Sequence, residues 1–189
     1  MRTTRCPRPD VRSTSVERVY VLGIDPGLTR CGYACIDATS RRAPVATALG
    51  VITTPVEAST PVRLAELRGE LRRLIEELRP QVVVVEHVFF QLNRRTAMSV
   101  AQASGLALAE AAASGAEVVQ YTANQVKLTL TGYGAATKVQ IQKMVQTRLA
   151  LTALPRPADA ADAAALALCH LAMTPMADRL AALGAPRPR

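Results

Sequence analysis

Two short apolar segments, each ending in a single acidic residue, set the strongest limits on how this chain folds. Residues 21–24 lead into Asp25, and four consecutive valines at 82–85 lead into Glu86. The valine segment is too short for an ordinary helix and follows a helical stretch, so it is expected to be a buried parallel strand. Functional sites in such sheets lie at the carboxyl ends of the strands. The sequence therefore predicts that Asp25 and Glu86 lie side by side.

The remaining periodicity predicts an α/β fold with a five-stranded mixed sheet, in which three antiparallel strands precede the parallel ones. The strands are expected at 19–25, 31–37, 45–54, 82–86 and 116–121. The helices are expected from Pro61 to the residue before Pro80, at 93–114, after the capping boxes that start at Thr122 and Thr137, and from about Asp159. This order places helices on the sheet as flanking layers.

Two further acids, Asp159 and Asp162, lie three residues apart at the start of an alanine-rich helix, so both carboxylates share one helical face. Each of the four acids, taken alone, has an ordinary explanation as a turn, strand-end or first-turn residue. Together they fit one site in a single topology. At about 4 Å and an effective dielectric of about 20, each carboxylate pair repels by roughly 4 kcal/mol, which protons or cations must relieve. Oxygen ligands without Cys or His favour Mg²⁺ or Mn²⁺ over zinc.

The chain has 189 residues, 49% of them hydrophobic, which fits one globular domain. We expect a disordered basic extension at 1–18, a domain at 19–175 and a flexible tail at 176–189. The net charge of +8 favours binding to a phosphate polymer. No apolar run reaches the 18 or more residues of a membrane helix. Cys31 and Cys35 lie too far apart on a strand to bridge, so reduced thiols in a cytoplasmic protein are expected.

Five motifs, taken in order, resemble the RuvC Holliday junction resolvases, which have the ribonuclease H-like fold. The motifs are Gly-Ile-Asp-Pro-Gly at 23–27, Glu-His-Val-Phe-Phe at 86–90, Gln-Val-Lys at 125–127, Lys138 with Met144 and Val145, and Asp-Ala-Ala-Asp-Ala at 159–163. The resemblance runs from about residue 21 to 172. It implies a structure-selective crossover junction endodeoxyribonuclease that acts in DNA recombination and repair.

The resemblance also implies roles for individual residues. The four acids would bind two Mg²⁺ ions per subunit, with Mn²⁺ as a possible substitute, and hydrolysis of a DNA phosphodiester would leave 5′-phosphate ends. Lys127 and Lys138 would lie near the scissile phosphate. Phe89 would stack on an unpaired base near the crossover, and Arg94 would contact a phosphate.

The partners implied by the resemblance are four-way junction DNA, a second copy of the chain and a branch-migration motor of the RuvA and RuvB type. Small residues on the 93–114 helix, Ala107 among them, permit the close helix approach expected at a dimer interface. A two-fold dimer suits paired symmetric nicks because it supplies two equivalent sites.

Three other functions share part of this pattern. A ribonuclease H-like RNA-processing nuclease would prefer RNA or hybrid substrates, and a catalytically silent junction-binding protein would bind without cleaving. The complete set of four acids argues against a silent protein. An actin-like phosphotransferase shares Gly-Ile-Asp-Pro-Gly, but 189 residues leave no room for its second lobe.

Overall fold

The computed structural model describes residues 19–39, 44–88 and 94–182, with side chains from 97 to 174 in the last range. Three predictions lie outside the described residues: the basic extension at 1–18, the stacking role of Phe89 and the phosphate contact of the Arg94 side chain.

A five-stranded mixed sheet forms the centre of the molecule, as the sequence predicted. Its strands are β1 (Tyr20–Asp25), β2 (Arg30–Asp37), β3 (Val45–Thr53), β4 (Val82–Glu86) and β5 (Glu117–Tyr121). The order across the sheet is β3-β2-β1-β4-β5. Strand β1 pairs antiparallel with β2 and parallel with β4, while β5 continues the parallel half. The crossover from β1 to β4 therefore places the two acid-ended strands next to each other.

Five helices connect or cover the strands of the described chain. They are α1 (Thr60–Leu78), α2 (Arg94–Ala113), α3 (Ala123–Thr131), α4 (Lys138–Arg148) and α5 (Ala158–Ala182). Both predicted capping boxes are present, at Thr122 with Gln125 and at Thr137 with Gln140. Within the described ranges, none of the helices combines the length and apolar character that a membrane span requires.

The last helix extends into the segment predicted as a flexible tail. Helix α5 continues to Ala182, seven residues beyond residue 175. Alanine and leucine have high helix propensity, so the composition that starts the helix also sustains it. The domain boundary at 175 and the flexibility of the tail stay predictions.

The sheet separates two hydrophobic cores because side chains alternate between its faces. Val21, Val82 and Val84 face one core, which contains α3, α4 and α5. Leu22 and Val83 face the other core, which contains α1 and α2. By the same alternation Asp25 and Glu86 lie on the α5 side.

Two strand glycines allow α5 to contact the sheet backbone directly. A Cβ atom on Gly23 would lie 1.9 Å from the backbone oxygen of Ala163, and one on Gly32 would lie 2.1 Å from that of Asp159. Real side chains do not approach so closely, so only glycine permits this packing. The position of the Asp159 backbone is thus set by the absence of a side chain on β2.

The buried carboxylate of Glu110 joins the two helices on the opposite face. It accepts hydrogen bonds from Arg68 Nε at 2.6 Å and from Arg72 Nε at 2.9 Å. These hydrogen bonds hold the pKa of Glu110 below its ordinary value of 4.5, and the one from Arg72 has the largest effect. A carboxyl group whose pKa is lowered by folding stabilises the folded state at pH values above its unfolded-state pKa. That stability is lost as the pH falls through the folded-state pKa.

Glu110→Gln is therefore expected to lower Tm by about 2 to 4 °C at pH 7, because it weakens two charge-assisted hydrogen bonds. The difference from the wild type should shrink as the pH is lowered below about 4.5, the ordinary carboxyl value. Thermal unfolding followed by circular dichroism across this pH range measures both effects.

Glu70→Gln is the matched control, since Glu70 forms an exposed ion pair with Arg73 within α1, the helix that carries the two arginines bonded to Glu110. Exposed pairs contribute little, so its Tm should stay at the wild-type value. Equal losses in the two variants would contradict the role assigned to Glu110.

Candidate active site

The first two acids lie side by side at the carboxyl edge of the parallel strands. Ile24 of β1 pairs with Val85 of β4, and the next residue in each strand is Asp25 and Glu86. The two carboxyl groups share a hydrogen bond in which Asp25 is the donor to Glu86. Strand register, which follows from the β1–β4 pairing, thus produces the adjacency that the sequence predicted.

Helix α5 brings the second pair of acids to the same edge. Asp159 and Asp162 lie in its first two turns, and α5 packs on β1 and β2. Both carboxylates are close enough to Asp25 to influence its ionisation. The four acids predicted from separate parts of the sequence therefore converge in space.

A cavity of about 240 Å³ opens at this point. Three of the acids and both predicted lysines line it, namely Asp25, Glu86, Asp162, Lys127 and Lys138. The rest of its wall is apolar and comes from α3, α4 and α5. Asp159 is not part of this lining and lies to the β2 side. The cavity combines anionic groups, cationic groups and an apolar wall. The apolar wall lowers the local dielectric constant and so strengthens electrostatic interactions within the cavity.

Burial of the acids perturbs their ionisation strongly. Burial, followed by the charges of Glu86 and Asp162, raises the pKa of Asp25 to about 8. Burial also raises the pKa of Glu86, while the hydrogen bond from Asp25 and the charges of Lys138 and Lys127 oppose that rise. Desolvation, reinforced by repulsion between the two half-buried carboxylates, therefore favours the protonated form of Asp25 when no divalent ion is bound.

The two acids of α5 are each paired with a basic side chain. Lys138 Nζ lies 2.6 Å from Asp162 Oδ2, and this hydrogen bond raises the pKa of Lys138. Arg30 Nε donates to Asp159 Oδ2 at 2.8 Å. Each carboxylate of the cluster is thus compensated by a proton or by a basic group from the protein itself.

The donor set suits a hard divalent cation, because it consists of carboxylate oxygens whose mutual repulsion a cation would relieve. Within residues 19–39, 44–88 and 94–182, however, no three His, Cys, Asp or Glu side chains already form a set of metal ligands. Arg30, Lys138 and the hydrogen bond from Asp25 to Glu86 instead engage the carboxylate oxygens. An ion at the four acids would compete with these partners for the same oxygens.

Sequence reasoning missed Arg30, although it lies close to the site. It begins β2, two residues before Gly32, which pairs with Asp25. The only sequence signal for Arg30 is that it follows Asp25 by five residues, and an arginine at such a position is usually an ordinary surface residue. The link to Asp159, 129 residues away, appears only in the folded chain.

Comparison with known proteins adds independent support. The family model for crossover junction endodeoxyribonuclease RuvC matches residues 21–170. A crossover junction endodeoxyribonuclease RuvC of Syntrophomonas wolfei is 48% identical over 151 residues, covering 80% of this chain and 87% of that protein. The Thermus thermophilus RuvC structure superposes with a TM-score of 0.76 at 31% identity, covering 84% of this chain and 96% of that one. T. thermophilus RuvC in complex with Holliday junction substrate gives a TM-score of 0.74 at 30% identity, with the same coverage.

The sheet order and flanking helices are those of the ribonuclease H-like fold, as expected from the sequence. The yeast mitochondrial Holliday junction resolvase Ydc2 shares this fold with a TM-score of 0.66, although only 14% of residues are identical. The matched region includes the four acids of the cluster and the two lysines that line the cavity. Sequence, fold and site thus agree that the chain belongs to the RuvC family of crossover junction endodeoxyribonucleases.

Proposed function

We infer that the protein is a structure-selective endonuclease that resolves four-way DNA junctions by metal-dependent hydrolysis. The observation that carries this inference is the cavity in which Asp25, Glu86 and Asp162 face Lys127 and Lys138. The 48% identical relative is a crossover junction endodeoxyribonuclease, and a structural neighbour binds Holliday junction substrate. The +8 net charge suits a DNA ligand.

We propose that the four acids hold two Mg²⁺ ions per subunit, with Mn²⁺ as an alternative. When bound, the ions would supply Lewis-acid activation of the attacking water and charge stabilisation of the leaving 3′-oxygen, giving 5′-phosphate ends. Asp25 and Glu86 would be held rigidly because both end strands of a buried sheet. Their proton would leave as the cation enters, since the same oxygens bind both.

The two lysines act on the DNA backbone in this proposal. Lys138 and Lys127 line the cavity from α4 and α3, and both charges already act on Glu86. A lysine beside the scissile phosphate would stabilise the negative charge that develops during hydrolysis. Lys138, released from Asp162 when that carboxylate takes a cation, is the better placed of the two.

We further propose that the protein works in the cytoplasm as a homodimer with a branch-migration motor of the RuvA and RuvB type. Ala107, one of the small residues expected at a dimer interface, is buried against the core of its own subunit. The outer face of α2 remains available, since Gly105 has open space around it and Met98 is 65% exposed. Two copies would supply the paired sites that symmetric nicking requires.

The decisive experiment uses a synthetic four-way junction with each strand labelled in turn. Paired symmetric nicks are expected in opposite strands, only when Mg²⁺ or Mn²⁺ is present. The products should be religated by DNA ligase without prior phosphorylation, because the ends carry 5′-phosphates. A linear duplex of the same sequence should remain intact.

Other outcomes identify the alternative functions. Faster cleavage of an RNA–DNA hybrid than of the junction would indicate an RNA-processing nuclease. Tight, salt-sensitive junction binding without cleavage in either metal would indicate a silent junction-binding protein. Either result would refute the proposed activity.

Lys138→Gln is expected to lower the single-turnover cleavage rate by about 10²-fold, because it removes one charged donor from the reacting phosphate. Junction affinity should change far less, since many other contacts hold the DNA backbone. Rapid-quench cleavage and fluorescence anisotropy of a labelled junction measure the two quantities separately.

The matched control is Lys143→Gln, which removes an exposed lysine from the same helix, outside the cavity. Its cleavage rate should remain within about twofold of the wild type. A Lys138→Gln enzyme that cleaves as fast as this control would show that Lys138 has no part in the chemistry.

A further inference from the structure

Arg30 is a charged residue of the site to which the proposed reaction gives no role. Its guanidinium Nε donates to Asp159 Oδ2 at 2.8 Å. The Arg30 side chain is 48% exposed and that of Asp159 is 28% exposed, so the pair lies at the rim of the site. A partly exposed ion pair is weak and exchanges readily with other partners.

The position of this pair distinguishes it from the other partners of the acids. Lys138 lines the cavity, and Asp25 forms its hydrogen bond with Glu86 there. Arg30 instead begins β2 and reaches Asp159 from the solvent side. Gly32, two residues later, allows the Asp159 backbone to lie directly against β2, a contact that does not involve the Arg30 side chain.

We propose that Arg30 competes with a divalent cation for the carboxylate of Asp159 and releases it when a DNA phosphate takes over the guanidinium. Metal loading at Asp159 is thereby coupled to DNA binding. A cation that binds Asp159 Oδ2 competes with Arg30 for the electron density of the same oxygen and is repelled by the guanidinium charge 2.8 Å from it, which weakens metal binding in the free protein. The planar guanidinium matches a phosphate at least as well as a carboxylate. Because linkage is reciprocal, DNA that engages Arg30 favours the cation, and the cation favours DNA.

This proposal rests on the proposed function for the cation held by the acids and for the identity of the phosphate ligand. Competition for Asp159 is a property of the free protein and is measured without DNA. Failure of the nuclease assay would therefore leave the metal-binding test intact, and the two failures are distinguishable.

The first test measures Mn²⁺ binding to the full-length, DNA-free protein by isothermal titration calorimetry. Arg30→Gln is expected to bind Mn²⁺ about three- to fivefold more tightly, the range that loss of an exposed ion pair allows. Arg30→Lys, which keeps the charge, should remain nearer to the wild type. Unchanged Mn²⁺ affinity in Arg30→Gln would mean that Arg30 does not affect the ion. Weaker Mn²⁺ binding would mean that Arg30 orients Asp159 for the ion. Either result would overturn the proposal.

Arg63→Gln is the control for the loss of one positive charge. Arg63 donates to the hydroxyl groups of Thr29, adjacent to Arg30, and of Thr54. Its Mn²⁺ affinity should stay within about twofold of the wild type. An equal gain in Mn²⁺ affinity in both variants would show that the effect comes from the loss of any nearby positive charge. That result would overturn direct competition between Arg30 and the cation.

The second test measures junction affinity by fluorescence anisotropy with Ca²⁺ at several salt concentrations. Arg30→Gln is expected to bind the junction more weakly and to lose about one unit of the salt slope, as removal of a single phosphate contact predicts. Tighter Mn²⁺ binding combined with an unchanged salt slope would overturn the transfer of Arg30 to DNA.

Discussion

Asp25→Asn is expected to reduce junction cleavage by at least about 10³-fold. Asp25 is the central acid of the cluster, hydrogen-bonded to Glu86 and influenced by both acids of α5. An amide in its place keeps the shape but removes a charged ligand, and loss of several kcal/mol of metal-derived stabilisation corresponds to a factor of this size. Single-turnover cleavage of the labelled junction with Mg²⁺ measures the effect.

The same substitution is expected to leave the metal-free fold intact or more stable. The pKa of Asp25 rises from 3.8 to about 8 on folding, so the folded state binds the proton more strongly than the unfolded state. Stability of the metal-free wild type should therefore fall as the pH rises through this window, and Asn avoids that loss. In EDTA at pH 8.5, the Tm of Asp25→Asn should equal or exceed that of the wild type.

Metal addition supplies a second readout. Mg²⁺ should raise the Tm of the wild type, because an ion held by the proposed site would bind only the folded state, and it should have little effect on Asp25→Asn. Glu117→Gln is a suitable control, since Glu117 is an exposed acid at the opposite end of the parallel strands. Full cleavage by Asp25→Asn would refute the assignment of the active site.

Gly32→Ala is expected to disrupt the site without changing any of its charged groups. The new Cβ atom would lie 2.1 Å from the backbone oxygen of Asp159 and 2.5 Å from its carbonyl carbon. The start of α5 must move away from β2 to relieve this contact. A displacement of about 1 Å at a catalytic carboxylate lowers the rate by about 10²-fold, and overpacking also destabilises the fold by about 1 to 3 kcal/mol. Cleavage rate and urea unfolding measure the two losses.

The matched control for this variant is Gly69→Ala on α1. A Cβ atom there meets nothing within 4 Å, so only helix propensity changes. Alanine is the better helix former, and the variant should be up to about 1 kcal/mol more stable with unchanged cleavage. Wild-type stability and cleavage in Gly32→Ala would show that α5 does not depend on this contact for its position.

The sequence could predict the elements of the fold because their signals are local. The valine segment before Glu86, the two capping boxes and the helical periodicity each depend on neighbouring residues. The adjacency of Asp25 and Glu86 was also predictable, since a parallel pairing of two short strands leaves few alternatives.

Other features depend on pairs of residues that are distant in the chain. Ala107, a small residue that permits close helix approach, is buried in the core of its own subunit, although a small residue on a helix suits an interface equally well. Arg30 and Asp159 form their hydrogen bond across 129 residues, and neither position carries a local signal of the other.

The sequence alone therefore determined the strand and helix pattern, the four candidate acids and the class of ion that suits them, since composition and periodicity act over a few residues. Tertiary structure alone decided which basic groups compensate Asp159 and Asp162, how closely α5 approaches β1 and β2, and where the cavity opens. The physical reason is that electrostatic compensation and close packing depend on distances between atoms, which become defined only when the sheet and α5 have assembled.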